Sequence, residues 1–398
     1  MADPRVIFVN RVYWPATSAT AQLLTDLAEG LAAQGWNVHV IAGGEATGAQ
    51  HGVTIHRTGT PANHGGLLSR AWNYRSFLRA ARQRLDDLLQ PGDVVVALTD
   101  PPLLGAMVAA VAAARGVRVV QWIQDIYPEI AAVHFGALAG LLLTPLKSKR
   151  DLAWQRATVC VTLGEDMAKV VAACGAASSR IRLLPNWAPR ELHAPAATGA
   201  IAECRRRWGC GDKFVVAYSG NFGRVHEFAT LLEAATLLRD DSSIVFLFIG
   251  QGVRFAEIAA LVRERGLPNV RLLPPEPRAA LAASLAAAEA HCVTLRPEYA
   301  ALVYPSKLAG ALAAGRPVIF VGPAEGDIPR LLRAANCGAS FSPGDAAALA
   351  ATVRCWQADW TLGARLGTNA RAAYAAAFAY ETALLRWQAV LRLPPGAA

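Results

Sequence analysis

"LVYPSKLAGALAAGRPVIFVG", residues 302–322, is the stretch on which the reading of the chain turns. Tyr304-Pro305-Ser306-Lys307 leads into a short helix of small residues, read over Leu308–Ala314. Gly315 stands where helices end in a left-handed residue, Pro317 blocks a restart, and Val318–Val321 is an unbroken apolar strand. Ser306 is in position to cap the helix. Lys307 in the first turn sets a cation against the positive end of the helix dipole, a mismatch of roughly half a kcal/mol that a bound anion would remove. The bland alternative is an exposed lysine that tolerates the penalty.

The same strand–loop–helix rhythm runs through the chain. Apolar runs at Val6–Val9, Asn37–Ala42, Val94–Leu98, Val117–Ile123, Val159–Thr162 and Ile181–Leu184 alternate with helical patterns such as Thr20–Gln34. Runs that are continuous rather than alternating mark parallel strands covered on both faces. Pro185-Asn186-Trp187 breaks the rhythm, and the Ala/Pro-rich stretch from Ala188 to Thr198 reads as a linker. The pattern then restarts with strands at Phe214–Ser219, Ile244–Ile249, Val270–Leu273, Ala290–Thr294 and Val318–Val321, and closes on an amphipathic helix at Tyr380–Leu393. This predicts an α/β protein of two tandem, doubly wound Rossmann-like domains, over 1–187 and 199–377, with a closing helical segment over 378–398. Open parallel sheets bind ligands at the carboxyl ends of their strands, so a central cleft is expected and the informative loops are those that follow strands.

Composition narrows the function classes. The 398 residues are 54% hydrophobic and 17% charged, as in a packed globular protein. Seven cysteines form no CxxC or Cys/His cluster, which argues against a disulfide framework or zinc site and for buried thiols in a reducing cytoplasm. MADPRVIFVN runs straight into a strand, so no signal peptide is read, and no apolar run approaches the ~20 residues of a membrane span. The net charge of +9 favours an anionic partner: a phosphate-bearing ligand, an acidic membrane or nucleic acid. Nucleic acid has no further support, for want of a stacking motif or recognition helix. A dinucleotide-dependent oxidoreductase is disfavoured because NRVYWPATSAT follows the first strand in place of GxGxxG.

In "YSGNFGR", residues 218–224, two glycines let the backbone approach a ligand and Arg224 offers a planar donor fork suited to phosphate oxygens. A plain glycine turn with a surface arginine is the alternative. Together, "PSKLAGALAAGRPVI", "YSGNFGR", "PNW" and "QDIYPE" resemble the family 4 retaining glycosyltransferases of the GT-B fold. They are most similar to the bacterial envelope and O-antigen polysaccharide sugar transferases with a Pro-Ser-Lys motif. The likeness extends to "YWPATSATAQLLTDLAEGLAAQGWNVHVIAG" and the closing helix, which in this fold crosses back onto the first domain.

The resemblance implies a nucleotide-sugar donor, with UDP first among the bases, held by the second domain. Arg224 matches the family's phosphate-binding arginine. Gly220, Asn221 and Gly223 form its loop, and Tyr304, Pro305, Ser306 and Lys307 form the loop meeting the diphosphate. Gly250, Gly252 and Pro275 sit where base and ribose are held, and Glu298 where an acidic residue stands near the sugar. Two departures follow: Gly310 takes the place of the usual ribose-binding glutamate, and the lysine that often follows the family's arginine is missing, with His226 the nearest polar residue. In the first domain Asp125 and Glu129 are expected on the acceptor side, Asp125 to orient or deprotonate the acceptor hydroxyl. An N-cap or turn role is the alternative for Asp125. Thr17, Ser18 and Ala19 replace a glycine pair in the first loop and would touch phosphates or acceptor.

The leaving diphosphate, stabilised by Arg224 and Lys307, would carry the electrostatic work. No flanked DxD is present, so no metal is expected, and no cofactor beyond the donor substrate is implied. The acceptor would be a glycan or a polyprenyl-diphosphate-linked sugar. "GALAGLLLTPLKSKRDLAWQRA", residues 136–157, mixes leucines with Lys147, Lys149, Arg150 and Arg156. It reads either as a contact with an anionic membrane or as an ordinary surface helix. The implied location is cytoplasmic, with the inner face of the cytoplasmic membrane left open. A sugar-nucleotide epimerase and a catalytically inactive nucleotide- or glycan-binding protein, the latter suggested by Gly310, are the competing functions.

Overall fold

The structure, a computed structural model, describes residues 4–45, 48–60 and 67–393. The ends of the expected first and last segments, 1–3 and 394–398, lie outside the described residues. The chain divides into two compact units, one of residues 1–186, 301–304 and 383–398, the other of 187–300 and 305–382.

The first unit is built on eight strands: β1 (Val6–Val9), β2 (Val38–Ala42), β3 (Gly48–Gln50), β4 (Val53–Arg57), β5 (Val94–Ala97), β6 (Arg118–Trp122), β7 (Val159–Thr162) and β8 (Ile181–Leu183). Their order in the sheet is β3-β4-β2-β1-β5-β6-β7-β8, parallel throughout except for β3. The central strands β1, β5 and β7 are buried at every position, which is why they read as unbroken apolar runs. β4 alternates buried and half-buried residues beside the sheet edge, so a search for unbroken runs passes over it and its short partner β3. The helix Tyr380–Arg392 supplies Trp387, packed edge-on against Trp122 with ring centroids 4.6 Å apart. Arg118 donates to the carbonyl of Leu391 beside it. Ala301–Tyr304 also belongs to this unit: Ile126 N–H donates to Leu302 O, and Val303 bridges Asp125.

The second unit carries six parallel strands: β9 (Phe214–Ser219), β10 (Ile244–Ile249), β11 (Val270–Leu273), β12 (Ala290–Thr294), β13 (Val318–Val321) and β14 (Gly338–Phe341). Their order, β11-β10-β9-β12-β13-β14, reverses direction between β9 and β12. That reversal is the switch point at which such sheets open a crevice beyond the strand ends. β14, with the sequence GASF, carries too little apolar signal to be read as a strand. The stretch read as linker packs into this unit: Ala188 N–H donates to Phe378 O, Leu192 is buried, and a helix begins at Thr198.

Candidate functional site

In the second unit the loops after β9 and β12 meet at the switch point, where Arg296 N–H donates to Val225 O at 2.8 Å. Beneath the β9 loop lies an aromatic floor of Tyr218, Phe222, Phe228 and Phe248, all buried. Tyr218 hydroxyl donates to Asn221 O at 2.8 Å and fixes the loop on that floor. The next loop over, after β10, interlocks with it through Phe222 N–H donating to Gln251 O at 2.8 Å.

Glycine is required where these loops touch. Gly250 has φ +145°, and a Cβ there would stand 2.0 Å from Gly220 O. Gly220, at φ +133°, lies under the Lys307 side chain, and its Cβ would meet Lys307 Cε at 2.6 Å. A side chain at Gly252 would likewise drive into the backbone of Phe222. The result is a surface of closely packed bare backbone beside Lys307, the kind of surface a polar ligand can approach closely.

Lys307 opens the helix Lys307–Ala313 and reaches across the switch point from the β12 side. Its ammonium lies 3.1 Å from His226 Nε2 and 5.0 Å from the centroid of the Tyr218 ring. No carboxylate among the described residues pairs with it, and burial lowers its pKa from 10.5 to about 8. An uncompensated, half-buried ammonium beside bare glycine backbone can hold an anion. Arg224, on the same β9 loop, is exposed and has no hydrogen bond or ion pair among the described residues. Its fork is free to engage a ligand.

Several expected residues take other roles. Ser306 does not cap the helix: its backbone is already helical (φ −59°, ψ −21°) and its side chain makes no capping bond. Glu298 is exposed; a hydrogen bond from its own backbone, and then its pairing with Arg296 at 2.8 Å, hold its carboxyl below the usual range. Pro275 is exposed in the loop after β11. Tyr304 packs within the first unit against the cluster containing Ile123 and Trp154, apart from the Pro305–Lys307 step in the second. A Cβ on Gly310 would meet Leu285 Cδ1 at 3.4 Å and Leu192 Cδ1 at 3.7 Å, so this position looks onto leucines.

In the first unit, Asp125 follows β6 in the segment bridged to Val303, half-buried and lining a small cavity of about 30 Å³ with Thr99, Gln121 and Tyr127. Burial, and then the neighbouring charge of Asp100, raise its pKa to about 6. Asp100 itself is held by Arg11 at 2.8 Å, and no ion pair reaches Asp125 among the described residues. Glu129 is withdrawn from solution chemistry: Arg150 grips its Oε1 at 2.8 Å, and Arg150 also donates to Tyr127 O and stacks on Trp154 at 4.0 Å. Thr17, Ser18 and Ala19 are exposed around the start of the helix Ala19–Ala33, with Thr17 O and Ser18 O both taken by Gln22.

Among the described residues no three or more His, Cys, Asp or Glu side chains gather to hold a metal ion, and no helix is long and apolar enough to cross a membrane.

Two domain models match the chain: a glycosyl transferase 4-like domain over residues 19–187, and glycosyl transferases group 1 over residues 202–373. The putative colanic acid biosynthesis glycosyl transferase WcaI of Escherichia coli is 29% identical over 171 residues, 43% of this chain and 42% of that protein. The aligned part is thus less than half of that relative. The probable glycosyltransferase WbjE of Pseudomonas aeruginosa is 27% identical over 296 residues, 73% of this chain and 72% of that one. Among solved structures, Anabaena HepE in complex with UDP-glucose superposes with a TM-score of 0.72 at 17% identity, covering 97% of this chain and 99% of that chain. A likeness at that identity speaks for the fold.

Proposed function

The chain being a family 4 glycosyltransferase of the GT-B fold, we propose that it moves a sugar, with retention, from a UDP-sugar to a hydroxyl of a glycan or polyprenyl-diphosphate-linked acceptor. The single observation that carries this reading is Lys307: a half-buried ammonium without a counter-charge, set over bare backbone at a switch point. The diphosphate of the donor is the counter-charge that fits. HepE's binding of UDP-glucose supports UDP, and the names of WcaI and WbjE support a place in surface polysaccharide synthesis.

In the reaction the bond between the sugar's anomeric carbon and the β-phosphate oxygen breaks, and the acceptor oxygen bonds to that carbon. The electron pair leaves with the diphosphate, where the charges of Lys307 and Arg224 stabilise it without a resident metal. Asp125 orients the acceptor hydroxyl or takes its proton, a role that its pKa of about 6 suits near neutral pH.

The reading includes contact with an anionic membrane. Phe135, Leu138, Leu141 and Leu142 are each 64–72% exposed on two short helices. Beside the next helix runs a groove of about 700 Å³ with an apolar floor that includes Met107 and Leu152. Arg75, Arg79, Lys149 and Arg156 line it, and none has an ion-pair partner among the described residues. Apolar side chains flanked by unpaired cations suit a phospholipid surface.

Calorimetric titration with UDP, GDP, ADP and TDP in metal-free buffer tests the donor site. Saturable micromolar binding of UDP alone is the expected result. Binding of none of the four would leave an inactive protein with a degenerate pocket, and UDP binding without transfer to any acceptor would point to a binding protein.

A further inference from the structure

His226 lies in the loop between β9 and the helix Ala229–Leu237, buried beneath Lys307. Its Nδ1 is 2.7 Å from Thr294 O, at the end of β12. A carbonyl can only accept, so Nδ1 carries the proton and Nε2 presents its lone pair. That lone pair faces the Lys307 ammonium at 3.1 Å. Burial, and then the Lys307 charge, push the imidazole pKa down to about 3, so the ring stays neutral. The remaining neighbours are fixed as well: Arg254 donates to His226 O at 2.8 Å while pairing with Glu257, and the Tyr218 ring stands 5.8 Å from the imidazole.

We propose that His226 is a positioning residue for Lys307: a neutral acceptor that holds the ammonium over Gly220 without cancelling its charge. The proposal rests on reading Lys307 as the cation of the donor diphosphate. A carboxylate in place of the imidazole would orient Lys307 equally well, but it would satisfy the charge internally and compete with the incoming anion. An imidazole of fixed tautomer uses one of the three ammonium protons and leaves two for phosphate oxygens. The backbone bond to Thr294 passes the geometry of β12 to the ammonium, so the cation is aimed by the sheet and not by its own flexible stem.

The decisive pair of variants is H226Q, whose amide oxygen can accept from the ammonium, and H226F, which fills the space without a lone pair. Both are measured for UDP and for uridine binding by competition, for kcat and donor KM, and for thermal unfolding. The expected result is that H226F loses about ten-fold or more in UDP affinity, the scale of one charge-assisted hydrogen bond, while uridine affinity changes little; the lost bond to Thr294 O lowers the unfolding temperature without discriminating between the two ligands. H226Q recovers most of the loss. An unchanged UDP affinity in H226F overturns the proposal, as does an equal loss for UDP and uridine, which would make His226 a merely structural residue. K307M separates the two readings. Loss of UDP affinity in K307M but not in H226F defeats the positioning role alone, and no loss in K307M defeats the diphosphate site itself.

Discussion

The Cβ that Gly220 lacks would stand 2.6 Å from Cε of Lys307. The glycine and the lysine are 87 residues apart in the chain, yet the second can occupy its place only because the first has no side chain. Gly220 also sits at φ +133°, where an L-residue is strained. Gly220→Ala should therefore cost about 1–3 kcal/mol of stability and displace the ammonium. The expected outcome is a lowered unfolding temperature together with weakened UDP binding. Intact affinity would show that Lys307 adapts without loss.

Lys307→Ala should weaken UDP binding about ten- to hundred-fold, the worth of one or two charge-assisted contacts to a diphosphate. Arg224→Ala removes a side chain that bonds to nothing among the described residues, so it should leave stability unchanged and cut affinity alone. Calorimetry and thermal unfolding of the two variants check both statements.

Asp125→Asn should spare donor binding and lower kcat about 100-fold or more, the usual share of a positioned base. Normal turnover with this variant would return Asp125 to a turn residue. The control is Glu129→Gln. Glu129 is already committed to Arg150, so its loss should appear in stability more than in kcat for a saturating acceptor.

The pH dependence of kcat/KM should be bell-shaped. Asp125 must be ionised to act as a base, and its raised pKa of about 6 makes the rate fall as pH drops through that value. Lys307 must be protonated to attract the diphosphate, and its lowered pKa of about 8 makes the rate fall as pH rises through that value. Asp125→Asn should remove the acid limb, and Lys307→Arg should move the alkaline limb upward. A flat profile between pH 5 and 9 would count against both assignments.

Gly310→Glu, which places a carboxylate where the resemblance leads one to expect it, should not improve ribose binding. It would push the side chain's first carbons against Leu285 and Leu192 and bury a charge without a partner. A cost of roughly 2–4 kcal/mol is expected, seen as a lower unfolding temperature with no gain in UDP affinity.

Part of this site was legible in the chain. "YSGNFGR" announced a bare glycine loop beside an arginine, and Lys307, one of only five lysines, stood out for its place against its helix dipole. The acceptor-side residues differ in setting. Asp125 has its pKa raised by burial, while Glu129 is bound to an arginine 21 residues further on, a pairing that no local spacing signals. The capping role expected of Ser306 failed for a similar reason: the residue type suits a cap, but a cap depends on backbone dihedrals, and those of Ser306 are already helical.

The sequence by itself determined the two doubly wound units, because strands buried on both faces must be apolar throughout and their loops must carry the glycines. It also carried the expectation of an anionic ligand, through an arginine and a lysine in the loops beyond two strands. Only the tertiary structure decided that these strands, β9 and β12, are neighbours at a reversal of sheet order. That adjacency puts Lys307 over Gly220 and turns a histidine noticed only as the nearest polar residue toward its ammonium. Strand order is set by how helices pack across the sheet, a balance of many small burial energies summed over the whole unit, and no single stretch of sequence contains it.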